Sequence, residues 1–122
     1  MSPKNVFFIG LDDFNLSKLT SIRNAERYAF HGLLEPSELY ETYEFSVPGM
    51  LARAEAQLRR WQEDSGGDID GISGYLDFPV SMMLPLLCEK FGQRAPSLES
   101  VLKCEHKYWS RLVQKEVIPE HI

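Results

Sequence analysis

What the 122-residue sequence holds little of narrows its reading first. It has two cysteines, Cys88 inside an apolar run and Cys104 near a polar helix start. Two such residues make no disulfide framework, so a reducing cytoplasm is the expected setting. Long apolar runs are missing as well. In "MSPKNVFFIGLDD" the apolar stretch meets Asp12-Asp13 before reaching the length of a signal-peptide core or a membrane span, so a soluble protein without a membrane partner is expected. Basic excess is absent: the formal net charge is −5, and residues 85–122 are nearly balanced, with six Lys/Arg against five Asp/Glu. No basic face dominates, which argues against nucleic acid as a partner. The loop "GLDDFN" has a single glycine and is no dinucleotide fingerprint. "C-x-H" at Cys104 and His106 has no second ligand pair, so no metal site is expected. Cys88 reads as core, His31 as a packed or edge histidine, and no Ser/His/Asp order stands out.

What is present is enough for one ordinary domain. With 43% hydrophobic residues the chain can bury a core, removing about two-thirds of the surface its unfolded form exposes. "NVFFIGL" (5–11) is a continuous apolar run closed by Gly10 and an acidic turn, as expected of a strand buried on both faces of a parallel sheet. "NLSKLTSIRNAERY" sets Leu16, Leu19 and Ile22 at helical spacing behind Asn15, a suitable N-cap. "YAFHGLL" (28–34) reads as a second strand ended by Glu35-Pro36. "PGMLARAEAQLRRWQED" (48–64) reads as a helix with Leu51, Ala54, Leu58 and Trp61 on one face. A third strand is expected within 68–79, centred on 69–74, and a helix over 81–92, with Pro85 in its first turn or kinking it. "TYEFSV" (42–47) alternates like an edge strand. The expected fold is a three-layer α/β/α domain over 1–96 with right-handed crossovers and a small parallel sheet covered on both faces, followed by a helical segment, 97–122.

That segment has room for a very short strand at most, then two helices, one capped by Ser97 and one starting near Cys104. Lys103, Lys107, Arg111 and Lys115 recur every four residues and would form one basic stripe if the helices were continuous, opposite Tyr108, Trp109, Leu112 and Val113. In such sheets chemistry is expected at the carboxyl ends of the strands. Two turns should meet there, bringing Asp12 and Asp13 towards Tyr75, Asp77 and Ser81. Clustered carboxylates suit an amine, a metal ion or a general base, and they equally suit simple helix capping.

From "GISGYLDFPVSMMLPLLCEKFGQRAPSLESVLKCEHKYWSRLVQKEVIPEH" onwards the sequence resembles the end of the N-terminal, Rossmann-like domain of ATP-grasp carboxylate-amine and carboxylate-thiol ligases, the biotin carboxylase relatives among them. The resemblance rests on Gly92, Pro96-Ser97, His106-Lys107, Arg111 and Pro119, in order and spacing over roughly the last fifty residues. It implies ATP and Mg2+ as cofactors of a complete enzyme and places Lys107, with Arg111 more weakly, against an ATP phosphate. It also implies a small-molecule carboxylate substrate activated as an acyl phosphate, with the remaining ATP-grasp domains of a longer chain as partners. The glycine loop that many members carry after strand one is replaced here by "GLDDFN", so no substrate role transfers to that loop. By this reading the chain is inactive alone. Its tail helix exposes apolar residues that either fray or pair two copies through Trp109. The rival readings are a phosphoacceptor receiver-type domain, suggested by Asp12-Asp13 and Asp77, and a stand-alone Rossmann-like interaction module.

Overall fold

In the computed structural model, which describes residues 2–40 and 46–121, three parallel strands carry the domain: β1 (Lys4–Ile9), β2 (Tyr28–Leu33) and β3 (Gly71–Ser73). Their order is β2-β1-β3. β1 pairs with β2 from Lys4 opposite Tyr28 to Ile9 opposite Leu33, and with β3 from Val6 opposite Gly71 to Phe8 opposite Ser73. The first strand in the chain is thus the middle one in space. Between and after the strands lie α1 (Asp13–Thr20), α2 (Pro36–Tyr40), α3 (Val47–Ser65), α4 (Val80–Lys90), α5 (Leu98–Glu105) and α6 (Lys107–Val117), with short 3-10 turns at Ala25–Arg27 and Pro119–His121. The domain is a mixed α/β fold. None of the described helices is long and apolar enough to cross a membrane.

The pleat of the sheet decides where the core sits, because alternate side chains point to opposite faces. Phe7, Ile9, Leu33 and Ile72 lie under Met50, Ala54 and Leu58 of α3 and Val80, Met83, Leu87 and Cys88 of α4, and all are buried. Each of the larger aliphatic side chains so placed stabilises the fold by about 1.5–3 kcal/mol. Val6, Phe8 and Phe30, on the intervening positions, are only half-buried. α1 contributes no buried residue. β1 is therefore closed in on one face rather than on both, although its composition reads as fully internal.

Several helix boundaries differ from expectation for local reasons. α1 is capped by Asp12, whose carboxylate accepts from the Asn15 amide at 2.7 Å. Asn15 itself lies within the helix, and its side-chain amide donates to the same carboxylate at 2.9 Å. The helical spacing that continues to Ile22 breaks after Thr20, where Asn24 takes a left-handed backbone, φ 64°, before the 3-10 turn. α3 begins where Ser46 accepts from Gly49, so Val47 is helical; the rest of the alternating stretch 42–47, apart from Ser46, lies outside the described residues. Pro85 sits in the interior of α4, not in its first turn. β3 is three residues long, and residues 91–97 form no strand. Gln93 instead donates its side-chain amide to the Ile69 carbonyl at 2.8 Å, tying that stretch to the approach of β3.

The two tail helices form as expected but not as one rod. Ser97 caps α5. His106 then adopts an extended backbone, ψ 111°, closing α5 with its own amide and capping α6 with its ring: Nδ1 accepts from the Trp109 amide at 3.2 Å. The single non-helical residue interrupts the basic stripe. Lys103 stays on α5, paired with Glu99 at 3.1 Å and held 5.8 Å above the Trp109 ring, while Lys107, Arg111 and Lys115 belong to α6.

Candidate functional site

The carboxyl ends of the strands are built by two close approaches that exclude side chains. Gly10 ends β1 in a left-handed conformation, φ 72°, with its amide donating to the Leu33 carbonyl at 2.7 Å. A Cβ there would lie 2.7 Å from Leu39 Cδ1, so glycine answers both the backbone and the space. Gly74 follows β3, and a Cβ on it would sit 2.6 Å from Val80 Cγ1, which lets α4 start directly against the strand.

Across this rim Tyr75 joins the two turns. Its hydroxyl donates to the Gly10 carbonyl at 3.2 Å and accepts from the Asp12 amide at 3.3 Å. Asp12 and Tyr75 therefore do meet, as the sequence suggested, although the Asp12 carboxylate is occupied with capping α1. Asp77 is also tied down: its carboxylate accepts from the Phe78 amide at 2.8 Å and its carbonyl from Val80 and Ser81. Tyr40, at the end of α2, is close enough to feel both residues. Its hydroxyl is pushed above the usual tyrosine range, first by partial burial and then by the charges of Asp77 and Tyr75. Asp13 is exposed in the first turn of α1, where a negative charge suits the helix dipole. The Ser81 hydroxyl oxygen is shielded from solvent and has no hydrogen-bond partner among the described residues. The strand ends thus gather Asp12, Tyr75, Tyr40 and Asp77, while Ser81 is turned into packing.

Sequence reasoning missed the other half of the rim. An open cleft of about 600 Å³ lies beyond β1 and β2, lined by Leu11, Gly32, Leu34, Glu35, Glu38 and Gln57. Gln57, on α3, accepts the Leu34 amide at 3.0 Å where Leu34 takes a positive φ of 56°. Glu38 accepts the Glu35 amide at 2.7 Å. The available signal was the Glu35-Pro36 break after β2, which marks a strand end at the same level as Gly10. Among the described residues no group of three His, Cys, Asp or Glu side chains lies close enough to hold a metal ion.

Lys107 and Arg111 stand apart from this rim, on α6, which packs against α5 and the following 3-10 turn. Both are exposed, and among the described residues neither belongs to an ion pair. Away from both places, His31 stacks on Phe7 at 4.6 Å and lies 5.2 Å from Trp61. Its Nε2 donates to Asn5 Oδ1 at 3.0 Å, and burial holds it below the usual histidine range. Cys88 is buried, and that burial pushes its thiol up; Cys104 is exposed. Comparison of the chain with protein-family models, with curated proteins and with solved structures finds no match.

Proposed function

We propose that this chain is the N-terminal α/β unit of an ATP-grasp ligase, a three-layer Rossmann-like domain of the kind that precedes the ATP-binding body. The observation that carries the reading is the state of α6: Lys107 in its first turn and Arg111 one turn on are both exposed and, among the described residues, outside any ion pair, with Lys107 at a helix N-terminus whose dipole favours an anion. A phosphate is the chemistry that such a pair suits. The strand order supports the same reading from the other side: the chain leaves β1 towards β2 and then returns past β1 to β3, so the strand order reverses beside β1 and a crevice opens at the strand ends, where this kind of sheet binds ligands. Right-handed crossovers would put α1 on one face of the sheet and α3 on the other.

In the reaction such a ligase performs, a carboxylate oxygen of a small-molecule substrate attacks the γ-phosphorus of ATP, releasing ADP and forming an acyl phosphate. An amine or thiol then displaces inorganic phosphate. This chain's share is to hold a phosphate oxygen at Lys107 and to offer the exposed Tyr75 and Asp77 of the rim to the substrate, the Asp12 carboxylate being engaged in capping α1. Mg2+ would travel with ATP, and the described residues supply no cluster to hold it. The chain alone therefore performs no ligation or ATP hydrolysis. A receiver-type reading is less well supported: Asp77 lies four residues beyond β3, its carboxylate accepts from the adjacent Phe78 amide, and only helices follow among the described residues.

The test is an amide NMR titration of the chain with ATP. Weak binding with shifts centred on Lys107 to Arg111, lost in Lys107→Ala, is expected. Absence of shifts at millimolar ATP, or shifts that survive that substitution, would overturn the assignment.

A further inference from the structure

Two surfaces of this chain are unsatisfied in opposite senses. The strand-end rim presents aromatic rings and acids: Phe14, Tyr40 and Tyr75 are 66%, 53% and 41% exposed. Asp12, Asp13, Glu35 and Asp77 stand among them, exposed. None of these four acids belongs to an ion pair among the described residues, whose bridges use Glu55, Asp64 and Glu99 instead. Lys18 approaches the rim but rests over the Phe14 ring at 4.6 Å rather than on an acid. α6 is the counterpart. Tyr108, Leu112 and Val113 are 69%, 45% and 39% exposed, and the flank beside Tyr108 and Leu112 carries Lys107, Arg111 and Lys115, which form no ion pair among the described residues.

We propose that two copies of this chain associate by seating α6 of each against the strand-end rim of the other. Charge complementarity selects this pairing. Packing α6 on α6 would bring Lys107, Arg111 and Lys115 of both copies together, and packing rim on rim would oppose four acids to four acids. The mixed contact alone sets cations beside acids while covering aromatic and aliphatic surface on both sides. Made reciprocally about a two-fold axis, it closes as a dimer and does not propagate. This inference does not depend on the ligase reading: the two compete for Lys107 and Arg111, so ATP bound there would oppose the dimer, and nucleotide binding and self-association are read out separately.

Charge reversal with complementation tests it by analytical ultracentrifugation, each variant first confirmed folded by circular dichroism. The wild-type chain is expected to dimerise, more weakly as salt rises. Arg111→Glu/Lys115→Glu, on α6, and Asp13→Lys/Glu35→Lys, on the rim, are each expected to weaken self-association by more than about tenfold. An equimolar mixture of the two is expected to restore a dimer, because each then meets its opposite charge. Should Asp13→Lys loosen α1, Glu35→Lys alone serves, with Leu112→Ser as the matching change on α6. A wild type that stays monomeric, a rim variant that dimerises like wild type, or a mixture that remains monomeric would each overturn the proposal.

Discussion

The Tyr75 hydroxyl and the Asp12 amide are joined at 3.3 Å across 63 positions of sequence, and the same hydroxyl reaches the Gly10 carbonyl. One phenol thereby fixes the turn after β1 to the loop after β3. Tyr75→Phe keeps the ring and removes both bonds. It should cost about 1 kcal/mol in denaturant unfolding and speed hydrogen exchange at Asp12 well beyond the rest of α1. Unchanged exchange at Asp12 would show that the turn holds itself.

Glycine at the strand ends gives a graded prediction. Gly10→Ala meets both a positive φ and the Leu39 side chain at 2.7 Å, whereas Gly92→Ala meets a similar φ of 66° with nothing of the described residues within 4 Å. Gly92→Ala should cost about 1 kcal/mol from backbone conformation. Gly10→Ala should cost roughly 1–3 kcal/mol more, from overpacking. Urea midpoints of the two variants check the order, and equal losses would mean that Leu39 moves aside freely.

The pH dependence of stability follows from His31. Burial against Phe7 and Trp61 lowers its folded pKa below the ordinary 6.5, so the unfolded chain binds its proton more readily. The sign is fixed: the contribution is complete above about pH 6.5 and is lost as pH falls through that value towards the folded one. Urea unfolding across mildly acidic pH should show stability rising with pH, and His31→Phe should flatten that rise while leaving Asn5 Oδ1 without its donor.

At the α5–α6 junction the cap is testable on its own. His106→Asp offers a stronger acceptor to the amide of Trp109, while His106→Ala leaves it bare. Relative to Ala, Asp should hold α6 by about 1 kcal/mol, seen as slower exchange at Trp109 and Ser110. Equal exchange in the two variants would mean that packing on α5, not the cap, starts the helix.

The parts of this structure that could be read from sequence are those decided by neighbours in the chain. The strands around Phe7 and Phe30 and the apolar stripe of α3 declare themselves by spacing, and Ser97 by its capping chemistry. Asp12 and Asn15 are both competent caps, and only the observed turn shows that Asp12 leads while Asn15 follows. The break at His106 gave no signal, because a ring nitrogen capping a helix leaves no pattern in spacing. At the rim, Asp12 and Asp77 were legible as acids after strands that suited either chemistry or capping; the structure shows Asp12 capping α1, whereas the Asp77 carboxylate accepts from the adjacent Phe78 amide and α4 has no side-chain cap. Gln57 on the Leu34 amide and Tyr75 on Asp12 join residues 23 and 63 positions apart. Such contacts are products of tertiary packing and have no local signature.

The central place of β1 has a consequence for biosynthesis. Val6 to Ile9 leave the ribosome before either neighbouring strand has emerged. The first partner is complete only at Leu33, and the second only once Ser73 has been made. At typical synthesis rates of about 5–20 residues per second, this apolar run waits several seconds for its second edge to be covered. During that interval its apolar edge is open to wrong pairing, and a charged residue at Val6 or Phe8, on the half-buried face, would guard it at less cost than one at the buried Phe7 or Ile9.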